Sequence, residues 1–316
     1  MSAPTQHKPA WLKVPLPRGE EFRKLDDLVR RQGLVTVCRE AQCPNRGECW
    51  AHGSASFMVC GEVCTRACAF CATRTAKPAP LDPGEPERVA LAVQAMQLRH
   101  TLVTMVTRDD LPDGGAAHIA SVILAIRKRS PECIIEVLTS DFGGNEQALE
   151  AVIDARPHIF NHNLETVERL TPLVRFRAQY RRSLHMLHRA GEIAPGLITT
   201  KSGMMLGLGE SRGELLQSMQ DLLDNGVRML TLGQYLQPTP RHLPVIEYIT
   251  PDCFRELRDT ALAMGFEQVA AGPLIRSSHF AANFRPREEV LAALQADLRR
   301  RGMLPVATEG SDISEV

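Results

Sequence analysis

SFMVCGEVCTRACAFC, residues 56–71, opens as a strand and closes as a metal-binding loop. Ser56–Val59 reads as a short buried strand that delivers the chain into Cys64, Cys68 and Cys71 at CxxxCxxC spacing. Three thiols so close after a strand fit a tight loop folded around one iron–sulfur cluster. Three thiolates hold three irons of a four-iron cluster and leave the fourth open to a small molecule. Backbone N–H groups from Thr65 to Phe70 fall near the sulfides, where they tune reduction potential, and Phe70 shields the site from water. The competing assignment is a structural zinc site. Zinc favours paired CxxC knuckles and four ligands, and this spacing supplies three.

Upstream, CREAQCPNRGEC (residues 38–49) carries a second triad, Cys38, Cys43 and Cys49, at CxxxxCxxxxxC spacing. Pro44 and Gly47 interrupt it, so it lies on loop. Two triads in tandem imply two clusters with different tasks. Cys60, Cys133 and Cys253 stand outside both and read as small buried hydrophobes.

Downstream, short apolar runs alternate with helical patterns. Leu102–Val106, Ile134–Leu138, His158–Phe160, part of Ile198–Leu206, Met229–Leu232 and Glu267–Ala270 read as strands. Pro86–Leu98, Ala116–Arg129, Asn145–Ala155, Ala178–Ala190, Arg212–Asn225 and Pro251–Met264 read as helices. Such alternation predicts an α/β fold with a parallel sheet. Its length falls short of a complete (β/α)₈ barrel of roughly 250 residues, which favours a partial barrel over a doubly wound open sheet. The expected organisation is an N-terminal extension with the first triad (residues 1–54), a barrel (55–285), and a C-terminal helix with a polar acidic tail (286–316), the extensions covering the barrel mouth. Within the N-terminal extension, residues 1–17 are Pro-rich and extended, anchored by Trp11, and a helix runs from Glu20 to Arg31.

The totals narrow the classes. The chain has 316 residues, 44% hydrophobic and 23% charged, with 37 Lys+Arg against 37 Asp+Glu. A balanced charge gives no field for nucleic acid or an anionic membrane, and 5% aromatics do not make a base-stacking surface. No apolar run approaches the ~20 residues of a membrane span, and the N-terminus has no signal-peptide core. A cytoplasmic protein with neither nucleic-acid nor membrane partner is expected, and there clustered cysteines bind metal more often than they form disulfides.

CTRACAFC resembles the motif of the radical-SAM enzymes. The tandem triads, with RDDLPDGGA (108–116), FNHNLETV (160–167), TKSGMMLGLGE (200–210), TLGQYLQPTPRHLPV (231–245) and AGPLIRSSH (271–279), are similar in order to stretches of the lipoyl synthase family over residues 8 to 282. The resemblance implies a partial (β/α)₆ TIM-type barrel. It implies insertion of two sulfurs at carbons 6 and 8 of an octanoyl chain carried on a lysine of a lipoyl carrier. The cofactors implied are S-adenosylmethionine and two 4Fe-4S clusters. The cluster at Cys64, Cys68 and Cys71 would cleave S-adenosylmethionine, and the auxiliary cluster at Cys38, Cys43 and Cys49 would give up its sulfur. A serine of an RSSY motif completes the auxiliary set in that family. Here Arg276-Ser277-Ser278-His279 assigns the role to Ser278, with Ser277 as the second candidate and His279 departing from the pattern. Implied partners are an octanoylated lipoyl carrier protein or domain, an electron donor such as a ferredoxin or flavodoxin, and an iron–sulfur delivery protein. Another two-cluster radical-SAM sulfurtransferase or oxidoreductase is the alternative.

Other residues fall where barrel sites form, at the C-terminal ends of strands. Gly114 and Gly115 allow close backbone approach to the methionyl end of S-adenosylmethionine, with Asp109 and Asp110 beside them, although acids before a helix also serve as caps. Asn161, Asn163 and Glu165 end the next strand, suited to the cofactor's ribose or carboxylate. Lys201, Ser202 and Gln234 are further pocket candidates, and Met204, Met205 and Leu206 suit an apolar wall. His158, His162, His185 and His188 form no metal-ligand pattern.

Overall fold

The computed structural model describes residues 8–13, 20–31, 33–36, 39, 45, 49, 55–278 and 284–304. Cys38, Cys43, His279 and the tail from residue 305 lie outside the described residues. In chain order the elements are α1 (Glu20–Arg31), β1 (Val35–Thr36), β2 (Ser56–Val59), β3 (Val63–Cys64), β4 (Arg74–Thr75) and α2 (Glu85–Ala95). Next come β5 (His100–Met105), α3 (Ala116–Arg129), β6 (Ile134–Leu138), α4 (Glu146–Asp154), β7 (Ile159–Asn161), α5 (Thr171–Val174) and α6 (Tyr180–Ile193). The chain continues through β8 (Thr199–Leu206), α7 (Arg212–Asp224), β9 (Met229–Gln234), α8 (Pro251–Met264), β10 (Gln268–Gly272) and α9 (Glu288–Arg300).

The main sheet runs β1-β2-β5-β6-β7-β8-β9-β10. Only β1 is antiparallel to its neighbour, and β2 through β10 pair parallel. The two edge strands do not pair with each other, so the barrel is open, with one parallel strand more than six. Two separate apolar clusters show that the sheet wraps. Ile159, Met229 and Phe284, with Ile134 and Ala270, meet on the inner face at the base, from four different strands and the C-terminal segment. The next residues on the same strands, Ile135, Phe160 and Leu230, belong to the outer cluster with the helices. A doubly wound sheet would have helices on both faces. Here the inner face encloses a cavity.

Helix α3 illustrates why these segments fold where they do. Ile119, Val122, Ile123 and Ile126 are fully buried at helical spacing, each worth roughly 1.5–3 kcal/mol of burial. Gly115 precedes the helix at φ 89°, and Arg127, Lys128 and Arg129 sit in its last turn, where cations favour the helix dipole. Helix α7 begins with a capping box between Ser211 and Glu214.

The C-terminal extension does not cover the mouth as expected: α9 packs at the base, where Arg156 Nε donates to Asp297 Oδ2 at 2.8 Å, and the late segment at the mouth is residues 275–278, within the expected barrel range. Several expectations need correction. Trp11 is exposed and its neighbour Leu12 is the buried residue, in a turn of 3₁₀ helix over Ala10–Leu12. Cys60 is buried but sits just past β2 at φ 66°, not within the strand. Cys253 is exposed, because it falls on the solvent side of the first turn of α8. The short elements β1, β3, β4 and α5 carry too few residues for any period to register. Among the described residues no helix is long and apolar enough to cross a membrane.

Candidate active site

A cavity of about 490 Å³ opens at the C-terminal ends of the strands. Met58, Thr104, Leu138, Asn163, Gly203 and Thr231 bring β2 and the strands after it to its wall. Cys64, Cys68 and Cys71 line it, as do Ile275 to Ser278.

The cysteine loop is fixed at several points. β3 and β4 pair, Val63 with Arg74 and Cys64 with Thr75, closing the loop at its neck. Thr65 N donates to Thr107 O at 3.0 Å, and Ala69 N to Val174 O at 2.9 Å. Arg66 points back into the barrel. Its Nη2 lies 2.7 Å from Asp109 Oδ1 and 2.8 Å from Asp141 Oδ1, with Asp141 fully buried. Arg182 Nε also reaches Asp141, at 2.8 Å. Burial opposes ionisation of Asp141, yet Arg66, His162 and Arg182 hold its carboxyl well below the usual range. A strap over residues 235–249 covers the loop from the other side: Leu243 N donates to Ala69 O at 3.1 Å. His242 Nε2 lies 3.0 Å from Cys71 O, which can only accept, so this nitrogen carries the proton and Nδ1 accepts from Thr239 Oγ1.

The three sulfurs suit a soft cation. Arg66 N donates to Cys64 Sγ at 3.4 Å, one of the backbone donors expected along the loop. Burial pushes the Cys68 thiol up to about 11; Arg175 opposes the shift and Cys71 and Cys64 add to it. Burial likewise raises Cys71. Thiolates crowded in this way are not stabilised by the protein alone. A cluster of irons, which prefers sulfur donors and deprotonates them, fits the set.

Phe70, Asn163 and Glu165 line the cavity; Asp109, Asp110, Gly114, Gly115 and Asn161 do not. Asp109 is engaged by Arg66, and Asp110 by Arg108 at 2.8 Å. Gly114 packs on Phe142, and Gly115 on Cys60 and Met105, beneath the mouth. Asn161 donates to Glu136 inside the barrel. Glu165 stands at φ 67°; burial raises its carboxyl pKa despite Arg175 and an Asn163 hydrogen bond. Of the other candidates, Gln234, Met204 and Met205 reach the cavity, while Ser202 bonds His162 O and Leu206 is buried behind the wall. Arg66 and Arg175 were missed. Arg66 carried a signal, a charge inside a cysteine motif; Arg175, in the basic stretch RFRAQYRR, carried none.

Ser277 and Ser278 differ. Ser277 Oγ donates to Asn163 Oδ1 at 2.9 Å. Ser278 has no side-chain hydrogen bond to any described residue. Asn45, between Cys43 and Cys49 in sequence, is buried, and its Nδ2 donates to Leu274 O at 2.6 Å. The first-triad segment is thereby tied within four residues of Ser278. Among the described residues no group of His, Cys, Asp and Glu is arranged for a single metal ion.

Burial also holds two histidines neutral. His162 bonds Thr139 O and Ser183 Oγ and is lowered to about 4, while His158 is lowered to about 3. Both folded values lie below the unfolded value near 6.5, so the unfolded chain takes up these protons first. Stability is full above about pH 6.5 and falls by about 1.4 kcal/mol per pH unit for each histidine as pH drops towards the folded values. Urea midpoints of the iron-free chain should decline steadily from pH 7 to pH 5; a flat profile would refute the assignment.

A wrapped parallel sheet with a CxxxCxxC loop at its mouth defines a class. Residues 58–222, more than half of the chain, match the model of the radical SAM superfamily. Lipoyl synthase of Shouchella clausii (strain KSM-K16) is 53% identical over 275 residues, 87% of this chain and 89% of that protein. Lipoyl synthase of Geobacillus sp. (strain WCH70) is 54% identical over 275 residues, 87% and 92% of the two. The chain belongs to the lipoyl synthase family. Methylornithine synthase (PylB) shares its fold, with TM-score 0.51 at 12% identity over 89% of this chain and 94% of that one.

Proposed function

We propose that the chain inserts two sulfur atoms, at carbons 6 and 8 of an octanoyl chain carried on a lysine of a lipoyl carrier protein or domain. The observation that carries this reading is one cavity lined by both the CxxxCxxC thiols and Ser278. Cys64, Cys68, Cys71 and Ser278 all line it, and Asn45, which lies between Cys43 and Cys49 in sequence, is tied to Leu274, four residues before Ser278. A 4Fe-4S cluster held by Cys64, Cys68 and Cys71 would, with S-adenosylmethionine, supply the hydrogen-abstracting radical chemistry, and an auxiliary 4Fe-4S cluster held by Cys38, Cys43, Cys49 and Ser278 would supply sulfur.

The chain's own residues bind, orient and exclude water. Met58, Leu138, Met204 and Met205 give an apolar wall for the octanoyl chain. Asn163, Glu165 and Arg175 supply the polar end, where the amino, carboxylate and ribose groups of S-adenosylmethionine need partners. Phe70 and the strap keep water from the cysteine loop. Asp109 acts through Arg66, holding the loop in place, and Gly114 and Gly115 shape its underside. Ser278 is the fourth auxiliary ligand: its hydroxyl bonds no described residue, where that of Ser277 is engaged. A hard alkoxide on a soft cluster leaves readily, which suits a cluster that is consumed. The reading requires a low-potential electron donor such as a ferredoxin or flavodoxin, an iron–sulfur delivery protein, and a cytoplasmic setting.

The test uses anaerobically reconstituted protein, expected to hold about eight irons, with reductant, S-adenosylmethionine and an octanoyl-lysine peptide. Mass spectrometry should find a product with two added sulfurs. Cys68→Ala should abolish 5′-deoxyadenosine formation. Cys49→Ala should retain it and yield no sulfur-containing product. An oxidised or otherwise altered peptide without sulfur would point to a different two-cluster reaction.

A further inference from the structure

Inside the barrel, below the cavity, lies a charge pair that the reaction itself does not use. Lys201 on β8 and Glu136 on β6 are both fully buried, with Nζ 2.9 Å from Oε1. Asn161 Nδ2 donates to the same carboxylate at 2.8 Å, and the Phe284 ring lies 4.1 Å beneath the ammonium. A buried pair of this kind is seldom more stable than an apolar replacement, so stability alone does not account for it. The ammonium has a further partner: Nζ also donates to Ser277 O at 3.0 Å.

Ser277 is held from every side. Its Oγ donates to Asn163 Oδ1 at 2.9 Å and lies 3.4 Å from Thr231 Oγ1. The floor beneath it is made by two glycines. A Cβ at Gly203 would stand 2.6 Å from Ser277 Oγ, and one at Gly233 only 2.1 Å from Ile275 O. Neither glycine needs a positive φ; both are required by the closeness of the segment above them. Two strands, β8 and β9, with Asn163 just past β7, therefore seat Ile275–Ser277 against the barrel's inner wall, and the next residue is Ser278.

We infer that Lys201, paired with Glu136, is a positioning residue for Ser278: it grips the Ser277 carbonyl from inside the barrel and so sets where the fourth auxiliary ligand stands. The inference rests on the reading of Ser278 as that ligand. The pair holds the segment in register while leaving the Ser278 hydroxyl free to bind and to leave.

The experiment uses the full chain carrying Cys64→Ala, Cys68→Ala and Cys71→Ala, which keeps only the auxiliary triad, reconstituted with ⁵⁷Fe under anaerobic conditions. The readouts are the Mössbauer signature of the oxygen-ligated iron, about one iron in four, and the rate of iron release to a chelator. Ser278→Ala should remove the signature. Lys201→Met with Glu136→Gln removes both charges of the pair, and Ser278 is intact; it should nevertheless lose the signature and release iron about 10-fold to 100-fold faster, as outer partners of metal ligands do. Ser277→Ala should shift both readouts the same way by a smaller factor. If the Lys201/Glu136 variant folds and matches the parent while Ser278→Ala does not, the positioning role is wrong and the ligand assignment stands. If Ser278→Ala matches the parent, the ligand assignment fails first. Should the Lys201/Glu136 variant not fold, Ser277→Ala and Gly233→Ala decide, and parent-like spectra from both overturn the inference.

Discussion

Replacing Arg66 with methionine should lower folding stability by roughly 3 kcal/mol, the lower end of the loss seen when one partner of a buried ion pair is removed. Arg66 is the charged side chain by which the cysteine loop is anchored to the barrel. Its guanidinium bridges Asp109 and the fully buried Asp141. Without it, Asp141 keeps Arg182 as its remaining cation, which is why the loss falls at the lower end. Asp141 has a folded pKa below its unfolded value, so its contribution is present above about pH 4 and is lost as pH falls towards the folded value. In Arg66→Met that acid limb should move to higher pH. Iron is the second readout. A loop cut from its anchor no longer holds three thiols in one place, and reconstituted protein should fall from about eight irons to about four. Arg66→Met with Asp141→Asn separates the two effects: stability should recover in part because the buried charge is gone, and the iron count should not. Parent-like iron in that double variant would show that the neck of the loop, not Arg66, does the holding.

Gly207→Ala should cost roughly 2–5 kcal/mol, combining about 1–2 for a non-glycine residue in left-handed backbone with about 1–3 for overpacking. Gly207 sits at φ 92°, and a Cβ there would lie 2.2 Å from Glu247 O and 2.4 Å from Gln234 Nε2. This is the knot that ties down the base of the strap. Gln234 donates to the carbonyls of Leu206, Tyr235 and Glu247 and accepts from Ile249 N at 2.8 Å. Gly209 is the control. It has φ 102° but nothing closer than Ile246 Cγ1 at 3.7 Å, so Gly209→Ala should lose only the left-handed share, about 1–2 kcal/mol. Urea midpoints measure both. Faster trypsin cleavage after Arg241 in Gly207→Ala alone would locate the damage in the strap, and equal losses in the two variants would contradict the clash.

Much of the scaffold was legible because its signals are local. Ala116–Arg129 and Pro251–Met264 are legible to the residue: each has an apolar face at helical spacing and a marked end, a glycine before one and a threonine cap with proline at the first position of the other. Ile134–Leu138 was read as a strand with its correct limits, yet the glutamate at its centre was passed over. A lone carboxylate in IIEVL asks for a partner, and the partner is 65 residues away, which no window along the chain can see. β9 runs to Gln234, two residues past its apolar run, because Gly233 must stay flat under Ile275 and Gln234 spends its amide on the strap. The cysteine spacing announced the loop and its chemistry. What tethers it, through Arg66, Val174 and Leu243, depends on which loops the barrel brings to its mouth.

The hydrogen bond from His242 to Cys71 joins residues 171 positions apart, and that separation has a meaning in time. At a ribosomal rate of about 5–20 residues per second, the cover for the cysteine loop emerges on the order of ten to thirty seconds after the last of its three thiols. In that interval the loop has neither strap nor most of its barrel. A cell that translates this chain must keep those nascent thiols reduced until the lid has been synthesised.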